Sequence, residues 1–215
     1  MHPIVIACHL IWTAYGWWLP NDPRGSTSRT IASDRIAALG ELHYGRKKIQ
    51  PVSRDVRAFY ENAAKALKHP LLEIRDDAIQ LVADAFSDVI AQRRYTSYAC
   101  AIMPDHVHIL IRKHRDRAEK MIELLQNASR WRLIEAGLRP SDHPVWTGGG
   151  GWSVFLDHPD DVERTIPYID GNPAKIGLPP QRWPFVIEYD RWPLHEGHSP
   201  NSPYVKRLRA AGRYP

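Results

Sequence analysis

Residues 101–112 read AIMPDHVHILIR, a stretch that indicates a β-hairpin carrying two neighbouring histidines. Pro104 and Asp105 supply the turn, and the β-branched and apolar residues that follow them are typical of a buried strand. Because side chains alternate along a strand, His106 and His108 project from the same face. Imidazole is a common protein ligand for divalent metals. The pair therefore supplies either half of a metal site or two hydrogen-bonded core histidines.

The same stretch and the cysteine pattern argue against two other kinds of site. A nucleotide-hydrolysing histidine triad would need a third alternating histidine, but that position holds Leu110. Structural zinc sites use closely spaced Cys and His residues, whereas Cys8 and Cys100 are the only cysteines in the chain. Both cysteines lie in apolar, strand-like runs, so we expect buried free thiols in a reducing cytoplasm.

Length and charge limit the class of protein. The chain has 215 residues, enough for one well-buried core, so we expect a single domain over 1–215. Lys and Arg total 29 against 24 for Asp and Glu, and the net charge of +5 suits a polyanionic partner. The N-terminus lacks a charged segment followed by an apolar one, and no apolar run approaches the roughly 20 residues that cross a bilayer. We therefore expect a cytoplasmic protein without membrane contact.

The spacing of apolar residues predicts an alternation of strands and helices around the hairpin. Apolar residues three and four apart indicate amphipathic helices, whereas β-branched runs indicate strands. In chain order the predicted elements are a strand at 4–13, a helix at 75–94, strands at 95–103 and 106–112, a helix at 115–136, a strand at 152–156 and a helix at 160–172 that Pro173 ends.

This order of elements predicts an α+β fold. It is the order of a ferredoxin-like βαββαβ antiparallel sheet with helices on one face, followed by a C-terminal helix that carries Tyr168. The other face of the sheet is then expected to be free. Residues 26–75 are expected to form an insertion with a helix near 53–67. The Pro- and Trp-rich tail at about 178–215 is expected to cross the core as extended chain.

The last predicted helix carries side chains that would complete the histidine pair. Tyr168 and Asn172 are four residues apart, so they lie on one helical face. A divalent ion held by His106, His108 and the side-chain carbonyl of Asn172 would bind and polarise a phosphodiester, which Tyr168 would attack in line. The alternative interpretation is that Tyr168 is a half-buried aromatic residue and Asn172 a helix C-cap.

The motifs MPDHVHILI, WSVFLD and YIDGNPAKIGL, with HLIWTAYGWWLPNDPRG near the N-terminus, resemble the single-tyrosine transposases of the HUH nuclease superfamily, especially the REP-associated branch. The resemblance covers the N-terminal strand and most of 95–185. It implies that His106, His108 and Asn172 bind Mg²⁺ or Mn²⁺. It further implies that Tyr168 cleaves single-stranded DNA beside an imperfect hairpin of the repetitive extragenic palindrome kind, leaving a 5′-phosphotyrosine and a free 3′-OH.

Two residues depart from the usual pattern of that family. Pro167 immediately precedes the proposed nucleophile, and Gly171 lies in the same helical turn. Both residues are unfavourable inside a helix. They indicate either a kinked or mobile tyrosine helix or a decayed active site.

Basic and aromatic side chains are the candidate contacts to DNA, because single strands bind in basic grooves and on aromatic platforms. For each of them the alternative is a solvated charge or a core aromatic. The candidates are Trp17, Trp18 and Arg24 in the first loop, Arg112, Lys113 and Arg115 after the histidine strand, and Lys120, Arg130 and Arg132 on the second helix. The sequence leaves open whether the protein is a monomer or a homodimer.

Three functions compete at this point. The first is a metal-dependent DNA endonuclease and strand transferase acting through phosphotyrosine. The second is a catalytically silent nucleic-acid-binding protein with a vestigial histidine pair. The third is a structural ferredoxin-like domain with core histidines.

Overall fold

A four-stranded antiparallel sheet organises the fold. Its strands are β1 (Ala7–Thr13), β2 (Ser97–Ile102), β3 (His106–Arg112) and β4 (Trp152–Leu156), arranged in the order β2-β3-β1-β4. Each neighbouring pair is antiparallel. This order is that of a ferredoxin-like sheet, so the predicted α+β class is confirmed.

The computed structural model describes residues 5–26, 28–45, 47–75, 77–148, 151–192 and 203–212. Its helices are α1 (Asp34–Ala37), α2 (Ser53–Ala66), α3 (Asp77–Arg93), α4 (Ala118–Glu135), α5 (Pro159–Asp170) and α6 (Pro203–Ala210), with a 3₁₀ helix at Pro173–Ile176. Within these ranges no helix is both long and apolar enough to cross a bilayer.

The main core lies between one face of the sheet and the helices α3 and α4. Leu10 and Trp12 of β1 and Ile109 of β3 point into it and are fully buried. Phe86 of α3 meets the Trp12 ring edge-on, with 5.7 Å between centroids, and Leu125 of α4 closes the cluster. The alternation along β1 and β3 therefore sends one set of side chains into this core and the histidines to the opposite face.

The opposite face is not free, and that expectation is wrong. Helix α5 packs on it through Val162 and Ile169, which join a second buried cluster with Ala7, Ala99 and Leu110. The small alanines of the sheet allow the helix to approach closely. The tyrosine helix consequently lies directly over the face that carries the histidines.

The end of α5 differs from the prediction of a helix that reaches Asn172. The helix ends at Asp170, Gly171 follows as its cap, and Asn172 precedes the 3₁₀ helix. The Asn172 N–H donates to the carbonyl of Ile169, three residues back, at 3.0 Å. Because Pro173 has no N–H to continue the α-helical ladder, the α-helix ends two residues earlier than predicted and the chain continues in 3₁₀ geometry.

The insertion and the tail are partly as predicted. Helix α2 confirms the helix expected near 53–67, whereas α1 was not expected. Residues 178–192 contain no helix or strand, and Trp183 and Phe185 pack against the main core. Helix α6 contradicts the expectation of an extended tail to 215. The sequence of this segment favours a helix, because Pro203 stands in the first turn and Lys, Arg, Leu and Ala follow it. Residue 4 of the predicted first strand and residues 193–202 and 213–215 of the tail lie outside the described residues.

Candidate active site

The β2–β3 hairpin positions the histidine pair as predicted. The Met103 N–H donates to the carbonyl of His106 at 2.8 Å, which closes a tight turn at Pro104 and Asp105. The Nε2 atoms of His106 and His108 face each other at 3.0 Å. On the far side of the first ring, Nδ1 of His106 lies 2.6 Å from Oδ1 of Asp105. The turn residue therefore orients the first imidazole.

A third histidine, which sequence reasoning missed, supports the second imidazole. His9 of β1 lies on the same sheet face, and its Nε2 is 2.9 Å from Nδ1 of His108. Both side chains are buried. The only signal in the sequence is the alternation along 7–13, which places His9 on the face opposite Leu10 and Trp12, but nothing local identifies its partner.

Burial keeps the two inner histidines neutral. Desolvation lowers the pKa of His9 to about 4. Desolvation, joined by the positive charges that His106, His9 and Lys175 can carry, lowers the pKa of His108 to about 2. Burial tends to raise the pKa of the Asp105 carboxyl, but the hydrogen bond and charge of His106 outweigh it and hold that pKa below its usual value. Asp105 is therefore an ionised acceptor.

These protonation states fit a metal at the pair. An ionised carboxylate only accepts, so Nδ1 of His106 carries a proton, and in the neutral form of the ring its Nε2 has the lone pair that faces His108. Neighbouring ligands of an octahedral ion subtend about 90° at the ion. Two nitrogens in such positions, each about 2.1 Å from the ion, are therefore about 3.0 Å apart. The observed separation of 3.0 Å matches that value, and it also matches a hydrogen bond between the rings. Among the described residues no group of three or more His, Cys, Asp or Glu side chains could hold a metal.

Tyr168 lies next to the histidines, as the sequence predicted. Its ring meets those of His108 and His9 edge-on, with centroids 5.8 Å and 6.1 Å apart. The side chain is half-exposed, so an incoming substrate can reach it. Pro167, the residue before it, lies inside α5, and Gly171 lies at the helix end with ordinary right-handed geometry.

Asn172 is buried, and its side-chain amide is only partly satisfied. Its Oδ1 accepts a 2.8 Å hydrogen bond from Nζ of Lys175, whereas its Nδ2 has no hydrogen-bond partner in the described part of the chain. The Lys175 ammonium also lies 4.5 Å from the centroid of the Tyr168 ring. A carbonyl oxygen has two lone pairs, so Oδ1 can accept one more partner. Lys175 is a second site residue that sequence reasoning missed.

Comparison with known proteins gives likenesses of fold. No family model matches the chain, and no curated protein matches it. A solved structure of a REP-associated tyrosine transposase bound to a REP hairpin is 14% identical, covers 100% of this chain and 86% of its own, and superposes with a TM-score of 0.43. A structure from Deinococcus radiodurans R1, described provisionally as a transposase, is 13% identical, covers 76% of this chain and 88% of its own, and gives a TM-score of 0.41.

The first-loop candidates for DNA contact are engaged within the protein. The indole N–H of Trp17 donates to the Leu72 carbonyl at 2.7 Å, and its ring packs against the core. The Arg24 guanidinium stacks on Trp18 at 3.9 Å and forms a 2.7 Å ion pair with the fully buried Asp22. Their role in binding DNA stays a prediction.

The basic residues at the end of β3 and just after it lie away from the histidine pair. Six residue steps along β3 separate Arg112 from His106, roughly 20 Å at strand rise. Arg112 stacks on Trp192 and forms a 3.4 Å ion pair with Asp190. Lys113 and Arg115 follow it in the chain, still farther from the pair in sequence.

The candidates on α4 make local contacts. Lys120 pairs with Glu123 at 2.9 Å, and Arg132 pairs with Asp88 at 2.6 Å. Arg130 donates to the carbonyl of His143 at 2.9 Å. The structure thus does not gather the predicted basic residues around the site, and their contacts to DNA remain predictions.

Trp152 is an exposed aromatic residue on the histidine face that sequence reasoning also missed. It pairs with Ile11 of β1, which on its other side pairs with His108 of β3. The three side chains therefore form one row across the same face. Two strand spacings, about 10 Å, separate Trp152 from His108. Trp152 is 54% exposed.

Proposed function

We propose that this protein is a metal-dependent single-stranded DNA endonuclease and strand transferase, a transposase-like enzyme of the HUH type that uses Tyr168 as its nucleophile. The observation that carries the proposal is the half-exposed Tyr168 ring, 5.8 Å from a histidine whose Nε2 faces that of its neighbour at 3.0 Å. A nucleophile beside a convergent imidazole pair is the arrangement that metal-assisted phosphoryl transfer needs.

The chain's own residues divide the work of the reaction. His106 and His108, with Oδ1 of Asn172, would hold Mg²⁺ or Mn²⁺, which makes phosphorus more electrophilic. The Tyr168 oxygen forms the new bond to phosphorus, and the bond from phosphorus to the 3′ oxygen breaks. In net balance the phenol proton ends on that oxygen, which gives a 5′-phosphotyrosine and a 3′-OH. The Lys175 ammonium, which lies over the Tyr168 ring, supplies positive charge where the phosphate would approach.

The substrate in this proposal is a single strand that flanks a DNA hairpin, as the resemblance of the sequence motifs implies. Trp152 supports the single-stranded part. Nucleobases stack on exposed aromatic rings irrespective of sequence. The indole lies about two strand spacings, roughly 10 Å, from His108, so a base near the scissile phosphate could stack there.

A second candidate function is a catalytically silent nucleic-acid-binding protein. The observation that favours it is the hydrogen bond from Lys175 to Asn172, which places an ammonium on the oxygen that would serve as the third ligand. The Lys175 ammonium lies 2.8 Å from this oxygen, so it would repel a divalent cation bound to the same atom.

Covalent trapping separates the two candidates. A hairpin oligonucleotide labelled on the 3′ side of the break is incubated with Mn²⁺ and the full chain, and protein that carries label is detected under denaturing conditions. We expect the adduct with the wild type and with Tyr44→Phe, a control at an exposed tyrosine, and no adduct with Tyr168→Phe or His108→Ala. An adduct that survives Tyr168→Phe refutes the assignment of the nucleophile. Hairpin binding without an adduct in the wild type favours the silent protein.

A further inference from the structure

Three imidazoles and one carboxylate form a continuous chain of contacts across the hairpin and β1. Asp105 contacts Nδ1 of His106, Nε2 of His106 faces Nε2 of His108, and Nδ1 of His108 faces Nε2 of His9. The separations are 2.6, 3.0 and 2.9 Å in that order. Each ring nitrogen named here is thus within hydrogen-bonding distance of the next group.

We infer that His9 is a positioning residue that sets the tautomer of His108 and thereby its ability to bind a metal. The inference deepens the proposed function and rests on it for the identity of the metal-binding pair. His9 itself is not a ligand in this arrangement, because its Nε2 faces the Nδ1 edge of His108. The metal position is on the opposite edge, where Nε2 of His108 faces His106.

A neutral imidazole carries one proton, so His108 has two possible forms. With the proton on Nε2, His108 donates to His106 and accepts from His9, and no lone pair is left for a metal. With the proton on Nδ1, His108 donates to Nε2 of His9 and presents a lone pair beside that of His106. Metal ligation requires the second form, and only an acceptor at position 9 satisfies the buried Nδ1–H in that form.

The burial of His9 prevents water from taking its place as the acceptor. His9 is 6% exposed, as is His108, so water has little access to replace the contact. A buried donor without a partner is costly. Removing the acceptor therefore favours the tautomer that blocks the metal, even though both proposed ligands remain. Partners of this kind commonly change metal affinity by about 10–100-fold when they are removed.

Two variants at position 9 test the inference. His9→Phe keeps a ring but removes the acceptor, whereas His9→Gln retains a side-chain oxygen that can accept. Mn²⁺ affinity is measured by electron paramagnetic resonance on the full chain without DNA. We expect His9→Phe to bind Mn²⁺ about 10–100-fold more weakly than the wild type and His9→Gln to recover most of that loss.

The tautomer provides an independent readout that a general packing defect would not move. Nitrogen-15 shifts of His108 with saturating Mg²⁺ should show the proton on Nδ1 in the wild type and in His9→Gln. Wild-type Mn²⁺ affinity in His9→Phe, or a proton on Nε2 in the Mg²⁺-saturated wild type, overturns the inference. If the wild type binds Mn²⁺ and His9→Phe is weakened as expected while no DNA adduct forms, the nuclease proposal fails and the role of His9 stands. If the wild type forms the DNA adduct and His9→Phe binds Mn²⁺ as tightly as the wild type, the nuclease proposal stands and the role of His9 fails.

Discussion

Replacing Gly151 by alanine tests how tightly β4 is held against β1. Gly151 precedes β4 at φ +73°, a conformation that costs a residue with a side chain about 1–2 kcal/mol. A Cβ there would lie 2.5 Å from the carbonyl oxygen of Ile11 and 2.9 Å from Cβ of Trp12. Both neighbours belong to the buried central strand, so the contact is relieved only if β1 and β4 separate.

Gly137 is a matched control, because it has φ +70° and nothing within 4 Å of the same added atom. For Gly137→Ala the strain is partly offset by the roughly 0.4–1 kcal/mol that alanine contributes by restricting the unfolded chain. We expect a net loss of about 1 kcal/mol, or about 2–4 °C in Tm for a chain of this size. Gly151→Ala adds the clash with the backbone of β1, so we expect a loss of stability of about 3 kcal/mol and a decrease in Tm of about 6–12 °C. Equal decreases in Tm by calorimetry would refute this account of the β1–β4 contact.

Trp152→Ala should weaken binding of a single strand by the roughly 1–3 kcal/mol that stacking of one base contributes, whereas Phe155→Ala, at 55% exposure on the opposite face, should leave it unchanged; equal losses in fluorescence anisotropy would contradict the stacking role. Because burial lowers the pKa of His9 to about 4 and that of His108 to about 2, against about 6.5 when unfolded, protons bind preferentially to the unfolded chain. The stability contributed by the neutral histidines should therefore be complete above about pH 6.5 and decrease as the pH falls toward 4. A midpoint of urea unfolding that stays constant between about pH 7.5 and 5 would contradict this prediction. DNA affinity should fall with salt at a log–log slope of about −0.7 per phosphate contacted; a flat titration would show that the net charge of +5 is not used for binding.

The sequence predicted the elements whose side-chain pattern is local. The bounds of β3 and β4 are those expected, because runs such as 106–112 combine β-branched residues with clear punctuation at the turn. Helices α3 and α4 follow from their apolar stripes, with ends that differ by one to three residues from those predicted. The shared face of His106 and His108 follows from the period of a strand alone.

What the sequence did not reveal depends on contacts between distant residues. His9 and His108 are 99 positions apart, and only the register of β1 on β3 brings them together. The indole hydrogen bond of Trp17 likewise depends on Leu72, 55 residues away. Lys175 reaches Asn172 across the 3₁₀ turn that follows α5, a turn that the predicted end of the helix at Asn172 did not include.

Helix α5, which carries Tyr168, is held by fewer buried side chains than the strand that carries the histidine pair. Only Val162 and Ile169 of this helix are buried, whereas His106 and His108 lie in a strand whose interior residues are all buried. Pro167 also removes the N–H that would bond the carbonyl of Glu163. Elements with few buried contacts open before the global core does. Amide hydrogens of α5 should accordingly exchange with solvent through a sub-global opening that leaves the hairpin protected, so that the tyrosine helix can detach and return while the imidazole pair stays assembled.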